Sequence, residues 1–388
     1  MSSALPRVDI ALYVQNLLGI GHLARVAAIA EAAADFGLKV AIVCGGVRPA
    51  GYAPRGALYV QLPAVQAVDA SCKILHDTAT GGESDEAFLA ARRALLETAL
   101  DQLQPKVFIT EMFPFGRWRF RKELLPILEK LHGRVKLAVS VRDIINQGSV
   151  TGARAEAVAA LINQRYDAVF VHGDPLFLPL EQTFPQTPQI ADKLIYTGYV
   201  QPPARFTNEA LPTLPAQKGY VLVSAGGGLY GAALYRAALA AKPLSRYANY
   251  PWLFVLGPYC PADVAIEIRS KADATTYILD SHPQLGALFP TAAASISQAG
   301  CNTVLELLQA QIPAVVVPFA EGKESEQGER ARVLARLKLL TCLESEALTP
   351  ENLVAALDGA QPPEEMPEEI HCHGAEVTAL HLQRWVQG

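Results

Sequence analysis

The segment Tyr220-Val-Leu-Val-Ser-Ala-Gly-Gly-Gly-Leu-Tyr-Gly231 contains a short apolar strand, Tyr220–Ser224, followed by a glycine-rich turn, and Ala232–Ala241 then has the composition of a helix. The N-terminus has the same order, with the strand Asp9–Val14 leading into the turn Gly19-Ile-Gly-His-Leu-Ala24 and another alanine-rich helix. This order is typical of the first unit of a doubly wound α/β domain. Two copies in one chain predict two such domains.

In each half, short β-branched runs continue to alternate with Ala/Leu-rich stretches. Nearly continuous apolar strands between helices are what a parallel sheet covered on both faces requires. We therefore expect an α/β protein with two Rossmann-like domains that face each other across a cleft, over residues 1–200 and 218–370, joined by a Pro-rich linker over 201–217. The predicted elements are the helices Leu23–Phe36 and Ala232–Ala241 and the strands Asp9–Val14, Lys39–Val43, Lys106–Thr110, Val135–Val141, Ala168–His172, Leu194–Tyr196, Tyr220–Ser224, Trp252–Leu256, Thr276–Ile278, Ala293–Ser297 and Ala314–Val317.

Composition limits the class of protein. The 388 residues are 51% hydrophobic and 18% charged, which supplies apolar side chains for large cores and argues against a disordered chain. The net charge is −5 without a basic stripe, so we expect no nucleic-acid partner. No apolar run approaches the roughly 18 residues of a membrane span, and the N-terminus lacks a signal-peptide pattern. The six scattered cysteines include no C-x-x-C pair. We expect a cytoplasmic protein without a metal or other cofactor.

Both glycine-rich turns satisfy the pattern G-x-G-x-x-G/A of dinucleotide-binding domains. That fingerprint also needs an acidic residue at the end of the following strand to hold a ribose hydroxyl. The following strands end in Val43-Cys44-Gly45-Gly46 and Val255-Leu256-Gly257-Pro258, and neither supplies a carboxylate. The turns therefore favour close approach of a backbone or an anion to a helix N-terminus rather than a nicotinamide or flavin cofactor.

The segment Ser295-Ile-Ser-Gln-Ala-Gly-Cys-Asn-Thr-Val-Leu-Glu306 is the richest in candidate site residues. A strand ends at Ser297, Gly300 makes the turn, and we expect Asn302 or Thr303 to cap the helix that follows. Such a cap would leave free N–H groups and a positive dipole end for an anion. Glu306, one turn into the helix, could bind both hydroxyls of a ribose; the alternative is a helix-surface glutamate that only favours the dipole.

Together with Ile312-Pro-Ala-Val-Val-Val-Pro-Phe-Ala320 and Glu324-Ser-Glu-Gln327, this segment resembles the donor-binding half of GT-B glycosyltransferases. The resemblance is to the GT28-like family of the peptidoglycan lipid-intermediate N-acetylglucosaminyltransferase. In such folds a C-terminal helix, here within residues 371–388, crosses back to the first domain. Where the family often has two adjacent glutamines, this chain has Glu326-Gln327, which leaves the donor sugar open. The resemblance implies that Glu306 binds ribose, that Glu326 and Gln327 face the transferred sugar, that the base lies near Ile278 and Leu279, and that Gly226, Gly227, Gly228 and Gly300 bring N–H groups to a diphosphate.

The first turn, Leu17-Leu-Gly-Ile-Gly-His22-Leu-Ala-Arg25, resembles the Gly-x-Gly-His turn of the same enzymes. The resemblance implies that this turn faces the donor and that Gly21 contributes to donor binding. The ring of His22 could accept the proton of an attacking hydroxyl or donate to a phosphate oxygen. Arg25 could pair with phosphate. The alternatives are a histidine that only caps the turn and an exposed helix arginine.

Two further loops follow predicted strands and so should open at the same edge of the sheet. Thr110-Glu111-Met-Phe-Pro-Phe-Gly-Arg117 is aromatic and could hold an acceptor, with Glu111 as a second candidate base. Asp143 and Asp174 end other strands and could orient His22 or contact an acceptor, although either could equally be a turn or cap residue.

These features predict metal-independent transfer of a sugar from a nucleotide diphosphate, UDP-linked, to an unidentified hydroxyl acceptor, and the resemblance implies inversion. Glycine turns and helix N-termini would stabilise the leaving diphosphate in place of a divalent ion. The same features leave open a nucleotide-sugar hydrolase, an epimerase and a non-catalytic nucleotide-sugar sensor. They also leave open peripheral contact with a membrane and the oligomeric state.

Overall fold

The computed structural model describes residues 4–17, 21–49, 52–67, 74–145, 150–201, 219–282, 285–319, 326–363 and 371–388. The chain divides into two compact units. The first unit comprises Met1–Pro203 and Ile370–Gly388, and the second unit comprises Ala204–Glu369. Gly19 and Ile20 of the first turn lie outside the described residues, as does most of the predicted linker.

The first unit is built on a seven-stranded parallel sheet with the order β3-β2-β1-β6-β7-β8-β9. Strands β4 and β5 form a separate antiparallel pair. The strands are β1 (Ile10–Val14), β2 (Val40–Cys44), β3 (Ala57–Gln61), β4 (Val65–Ala67), β5 (Leu75–Asp77), β6 (Val107–Glu111), β7 (Lys136–Arg142), β8 (Ala168–His172) and β9 (Leu194–Tyr196), and the helices are α1 (Gly21–Asp35), α2 (Glu86–Leu103), α3 (Arg121–Leu131), α4 (Gly152–Arg165) and α10 (Gly374–Gln387).

Small residues determine how closely the helices approach this sheet. Strands β1, β2, β6 and β8 are buried along their whole length, and α1 contributes buried alanines at Ala27, Ala30 and Ala33. Helix α10 packs against α1 and places Ala379 and Leu382 in the same core. Alanine faces allow backbones to pack tightly at little cost in side-chain entropy. The C-terminal helix is therefore an integral part of the first unit.

The second unit has a six-stranded parallel sheet with the order β12-β11-β10-β13-β14-β15. Its core contains the fully buried rings of Tyr235, Trp252 and Phe254. The strands are β10 (Val221–Ser224), β11 (Trp252–Val255), β12 (Thr276–Leu279), β13 (Ala294–Ser297), β14 (Ala314–Val316) and β15 (Thr341–Cys342), and the helices are α5 (Ala232–Ala241), α6 (Ala262–Ser270), α7 (Cys301–Ala310), α8 (Glu326–Arg336) and α9 (Pro350–Gly359).

In both sheets the strand order reverses direction at one place, between β1 and β6 and between β10 and β13. Ligands of open α/β sheets bind beyond the carboxyl ends of the strands at such a switch point. The glycine-rich turn Gly226–Gly228 follows β10 there, and Gly21 begins α1, the helix that follows β1. The predicted fold class, with two doubly wound parallel α/β units, is confirmed, and every predicted strand is present; the pattern missed the short or half-exposed strands β3, β4, β5 and β15.

Candidate functional site

His22 lies in the first turn of α1, at the switch point of the first sheet. Its Nδ1 is 2.9 Å from Oε1 of Glu111, the last residue of β6. Because a carboxylate can only accept, Nδ1 carries the proton and the lone pair of the neutral ring is on Nε2. Nη2 of Arg142 lies 3.5 Å from that Nε2. Burial, with Arg142 and Arg117 nearby, lowers the pKa of His22 to about 3, although Glu111 opposes this shift. The ring is therefore a neutral base at physiological pH.

Glu111 is the anion that holds this arrangement together. Only 2% of its surface is exposed. Oε1 accepts from Nδ1 of His22 and from Arg25, whose Nε and Nη2 lie 3.2 and 3.1 Å away, and Oε2 accepts from the hydroxyl of Ser140. Burial raises the pKa of Glu111, but Arg25 and the hydrogen bonds from His22 and Ser140 outweigh it, and the pKa falls well below its usual range. Glu111 is thus buried behind the histidine and is placed to orient it.

Arg25 is buried and pairs with Glu111, so it is not the exposed helix arginine that the sequence allowed. The carboxylate that accepts from His22 is that of Glu111, not of Asp143 or Asp174. Asp143 is buried immediately after β7. Asp174 accepts from Nδ1 of His371 at 3.2 Å and from the backbone N–H of Leu176.

The aromatic loop after β6 faces inward. Phe113 and Phe115 are fully buried. The ring of Phe113 stacks on that of Trp118 with 6.0 Å between centroids, and the ring of Phe115 meets that of Phe184 edge to face at 5.0 Å. The expectation that these aromatic side chains hold an acceptor is therefore wrong, because they fill the core of the first unit.

The glycine-rich turn after β10 can be made only with glycine at its third position. Gly228 has φ +84°, and a Cβ there would lie 1.9 Å from the carbonyl oxygen of Leu256. Gly226 also has a positive φ of +55°. The carbonyl of Gly227 accepts from the backbone N–H of Tyr259. The turn thus packs against the loop after β11 and leads into α5.

Helix α7 begins at Cys301, with Gly300 as the residue before its first turn and no side chain capping it. The predicted caps are wrong: Asn302 is exposed and Thr303 is buried, and both lie inside the helix. A helix without a side-chain cap leaves N–H groups of its first turn available to an anion. The local sequence did not reveal this because Asn and Thr favour both cap and turn positions.

Glu306 lies one turn further along α7, beside Gly286. A Cβ on Gly286 would come within 2.9 Å of Oε1 of Glu306, so the backbone approaches the carboxylate closely. Among the described residues the carboxylate has neither a hydrogen-bond nor an ion-pair partner, and burial raises its pKa to about 7. It is therefore not an ordinary surface glutamate, and a ligand with hydroxyl donors would satisfy it.

Helix α8 begins at Glu326, whose Oε1 accepts from Nη2 of Arg330 at 2.8 Å. Oε1 of Gln327 accepts from the backbone N–H of Phe319 at 3.0 Å, which leaves the amide NH₂ as a donor. Leu279 ends β12, and its carbonyl accepts from the backbone N–H of Leu256. Glu326, Gln327 and Leu279 thus lie at the edge of the second sheet where its strands have their carboxyl ends.

Two features at these edges were not predicted. Ser140 and His172 continue the hydrogen-bonded chain behind Glu111, with 2.9 Å between Oγ and Nε2. In the second unit, the ring of Tyr230 in the glycine-rich turn stacks on that of Phe319 at 4.4 Å. Polar residues at the ends of neighbouring strands were the available signal for Ser140 and His172. No helix of the described part of the chain is long and apolar enough to span a membrane.

Residues 221–379 match the model of the glycosyltransferase family 28 C-terminal domain. Over 183 residues the chain is 26% identical to the UDP-N-acetylglucosamine–N-acetylmuramyl-(pentapeptide) pyrophosphoryl-undecaprenol N-acetylglucosamine transferase of Thermotoga maritima. The aligned residues make up 47% of this chain and 50% of that protein. Over 213 residues it is 24% identical to an uncharacterized glycosyltransferase of Methanosarcina acetivorans, covering 51% and 53%. The chain spans about half the length of the curated relatives it matches.

Solved structures share the fold over nearly the whole chain. The calicheamicin glycosyltransferase CalG4 has a TM-score of 0.60 at 14% identity, covering 98% of this chain and 94% of that one. MurG of Acinetobacter baumannii has a TM-score of 0.58 at 16% identity, covering 97% and 99%. Together with the family match, these likenesses confirm the predicted resemblance to a GT28-like protein with the GT-B fold.

Proposed function

Starting from the match of residues 221–379 to the glycosyltransferase family 28 C-terminal domain, we propose that this protein is a glycosyltransferase. It moves a sugar from a UDP-linked donor to a hydroxyl acceptor, without a divalent metal and with inversion at the anomeric carbon. The name of the Thermotoga maritima relative, a transferase that uses UDP-N-acetylglucosamine, supports a UDP-linked donor. Metal independence and inversion rest on the resemblance of the motifs.

The observation that carries the proposal is the contact between His22 and Glu111. The acceptor hydroxyl attacks the anomeric carbon while the bond from that carbon to the diphosphate oxygen breaks. Nε2 of His22 takes the hydroxyl proton, and the imidazolium that forms keeps Nδ1–H on Glu111. Nearby Arg142 and Arg117 disfavour a cationic ring in the free protein, so the anion of Glu111 is needed to make proton transfer feasible.

Donor binding is the task of the second unit in this proposal. The carboxylate of Glu306 accepts from the ribose hydroxyls, because it otherwise lacks a partner among the described residues. The turn Gly226–Gly228 and the first turn of α7 bind the diphosphate and stabilise its charge as it leaves. Gln327 donates its free amide hydrogens to the sugar, Glu326 accepts from it, and the base lies at Leu279.

The test is turnover of a panel of UDP-sugars with a library of hydroxyl acceptors, with and without EDTA. Acceptor-dependent release of UDP that EDTA does not affect supports transfer, and NMR of the product gives its anomeric configuration. Release without acceptor means a hydrolase, a changed sugar means an epimerase, and binding without turnover means a sensor. We expect His22→Ala to abolish turnover while UDP affinity is kept, and His132→Ala, at an exposed histidine of the same unit, to change neither. Full activity of His22→Ala would reject the assigned base.

A further inference from the structure

A chain of hydrogen bonds runs sideways across the carboxyl edge of the first sheet, from His22 to the edge strand. Behind Glu111 at the end of β6, Ser140 lies directly opposite on β7. Oγ of Ser140 is 2.9 Å from Nε2 of His172, at the end of β8, and Nδ1 of that ring is 2.8 Å from Oγ1 of Thr197, just after β9. Ser140, His172 and Thr197 are at most 3% exposed. Strands β6, β7 and β8 and the residue that follows β9 thus each contribute one polar side chain to a buried chain of hydrogen bonds.

The direction of every proton in this chain follows from its chemistry. Glu111 is paired with Arg25 and can only accept, so the hydroxyl of Ser140 donates to it. With its proton directed at Glu111, Ser140 accepts from Nε2–H of His172. The neutral ring of His172 then has its lone pair on Nδ1 and accepts from the hydroxyl of Thr197. All donors therefore point toward Glu111, as a buried carboxylate requires.

The same order of bonds cannot exist with Glu111 protonated. A carboxyl proton on Oε2 would turn the hydroxyl of Ser140 toward His172, and Nε2 would then have to accept. The ring would change to its Nδ1–H form and donate to Thr197, whose hydroxyl would turn to the carbonyl of Gly198, 3.0 Å away. The tautomer of His172 is thus tied to the charge of Glu111.

We propose that Ser140 and His172 are positioning residues for His22. They hold Oε2 of Glu111 as a fixed acceptor, so that Oε1 keeps His22 in the Nδ1–H tautomer with Nε2 free to take a proton. This inference rests on the proposed function for its catalytic meaning. The ring geometry itself can be measured without any substrate.

Ser140→Ala removes the donor to Oε2 and should release the carboxylate to rotate. We expect kcat to fall about 10- to 100-fold, the value of one hydrogen bond to a charged group, with KM for the donor unchanged. Ser140→Thr keeps a hydroxyl and should recover most of the loss. Ser84→Ala is the matched control, because Ser84 is a buried serine of the same unit whose hydroxyl donates only to the carbonyl of Leu75 at 3.0 Å.

His172 provides a second pair of variants in case Ser140→Ala folds poorly. His172→Gln keeps an N–H donor near the position of Nε2, whereas His172→Leu has none. We expect Gln to retain more activity than Leu at equal content of folded protein. Equal activity of the two variants would show that no donor is needed at this position and would overturn the proposal.

Nitrogen-15 NMR of the histidine rings supplies the readout that a purely structural role would not move. In the unmodified protein we expect Nδ1–H at His22 and Nε2–H at His172. In Ser140→Ala we expect His22 to populate both tautomers. If His22 keeps one tautomer in Ser140→Ala, the proposal is wrong, whether or not kcat falls. If the unmodified protein transfers no sugar, the proposed function fails, and the tautomers still decide whether Ser140 positions His22.

Discussion

Lowering the pH from 7 to 5 should destabilise the first unit, because the half-buried His22 and the buried His172 are both neutral in the folded protein. Burial, with Arg25 nearby, lowers the pKa of His172 to about 3, although Glu111 opposes the shift, and the pKa of His22 is lowered to a similar value. In the unfolded chain each imidazole has a pKa of about 6.5. Between these pKa values the unfolded state binds protons that the folded state does not, so the free energy of unfolding falls as the pH falls.

The size of the effect follows from these pKa values. At pH 5 the solution is about 1.5 units below the unfolded pKa, and at about 1.4 kcal/mol per unit each histidine lowers the free energy of unfolding by about 2 kcal/mol relative to pH 7. Glu111 has a depressed pKa, so its contribution stays constant in this window and is lost only in stronger acid. Glu306, with a pKa raised to about 7, acts in the opposite sense, since its folded form gains a proton as the pH falls through 7.

As the pH falls, the histidines lower the free energy of unfolding and Glu306 raises it. The informative quantity is therefore the difference in this free energy between the unmodified protein and a single variant. Urea unfolding of the unmodified protein and of His172→Gln, at pH 5, 6, 7 and 8, isolates the contribution of His172 to the pH dependence of the free energy of unfolding. We expect the stability gap between the two proteins to narrow by about 2 kcal/mol from pH 7 to pH 5. The substitution His132→Ala, at an exposed histidine of the same unit, is measured alongside as a control for the loss of a histidine. A constant gap for His172→Gln would mean that His172 is protonated in the folded protein, contrary to the proton directions derived above.

Two further changes test the second unit. Since Glu306 has a pKa raised to about 7 and must be ionised to accept from a ribose diol, UDP affinity measured by calorimetry should rise by about tenfold from pH 6 to pH 8. In Glu306→Gln the affinity should be lower and independent of pH, and a pH-dependent affinity in that variant would assign the titration to another group. Gly228→Ala should lower the stability of the unit by more than about 2 kcal/mol in urea unfolding, because its φ is +84° and its Cβ would meet the carbonyl of Leu256. Gly359→Ala, where a Cβ meets nothing within 4 Å, is the control, and equal effects of the two substitutions would show that the turn relaxes.

The features that depend on residues close together in the chain could be predicted from the sequence. Alternating strands and helices predicted both sheets, and the glycines identified the turn at the switch point of the second sheet. Glu306 could be selected because its position after a strand, a turn and the start of a helix is a local property. In the part of the chain that the structure describes, its carboxylate has no partner and lies against Gly286, which makes Glu306 a candidate for binding a ligand. This surrounding is visible only in the folded unit.

The hydrogen-bonded chain behind His22 could not be predicted in the same way. Glu111 and Ser140 are neighbours only because β6 and β7 pair in one register, and a shift of one residue would turn Ser140 to the other face. Similarly, apolarity alone could not show whether Phe113 and Phe115 face a ligand or the core. Arg25 was ambiguous for a related reason, since it lies on α1 and its buried partner, Glu111, lies at the end of β6.

The first unit can be completed only late in synthesis, because helix α10 belongs to it but follows the second unit in the chain. Its residues Ala379 and Leu382 close the core over α1, and the ring of Trp385 lies 5.7 Å from that of Phe170. A ribosome translates the whole second unit before these residues emerge, so the second sheet can be finished while the alanine face of α1 is still uncovered. We expect a released chain that ends at residue 370 to resist protease in its second unit and to be cleaved in its first, and equal resistance of both units would contradict this order.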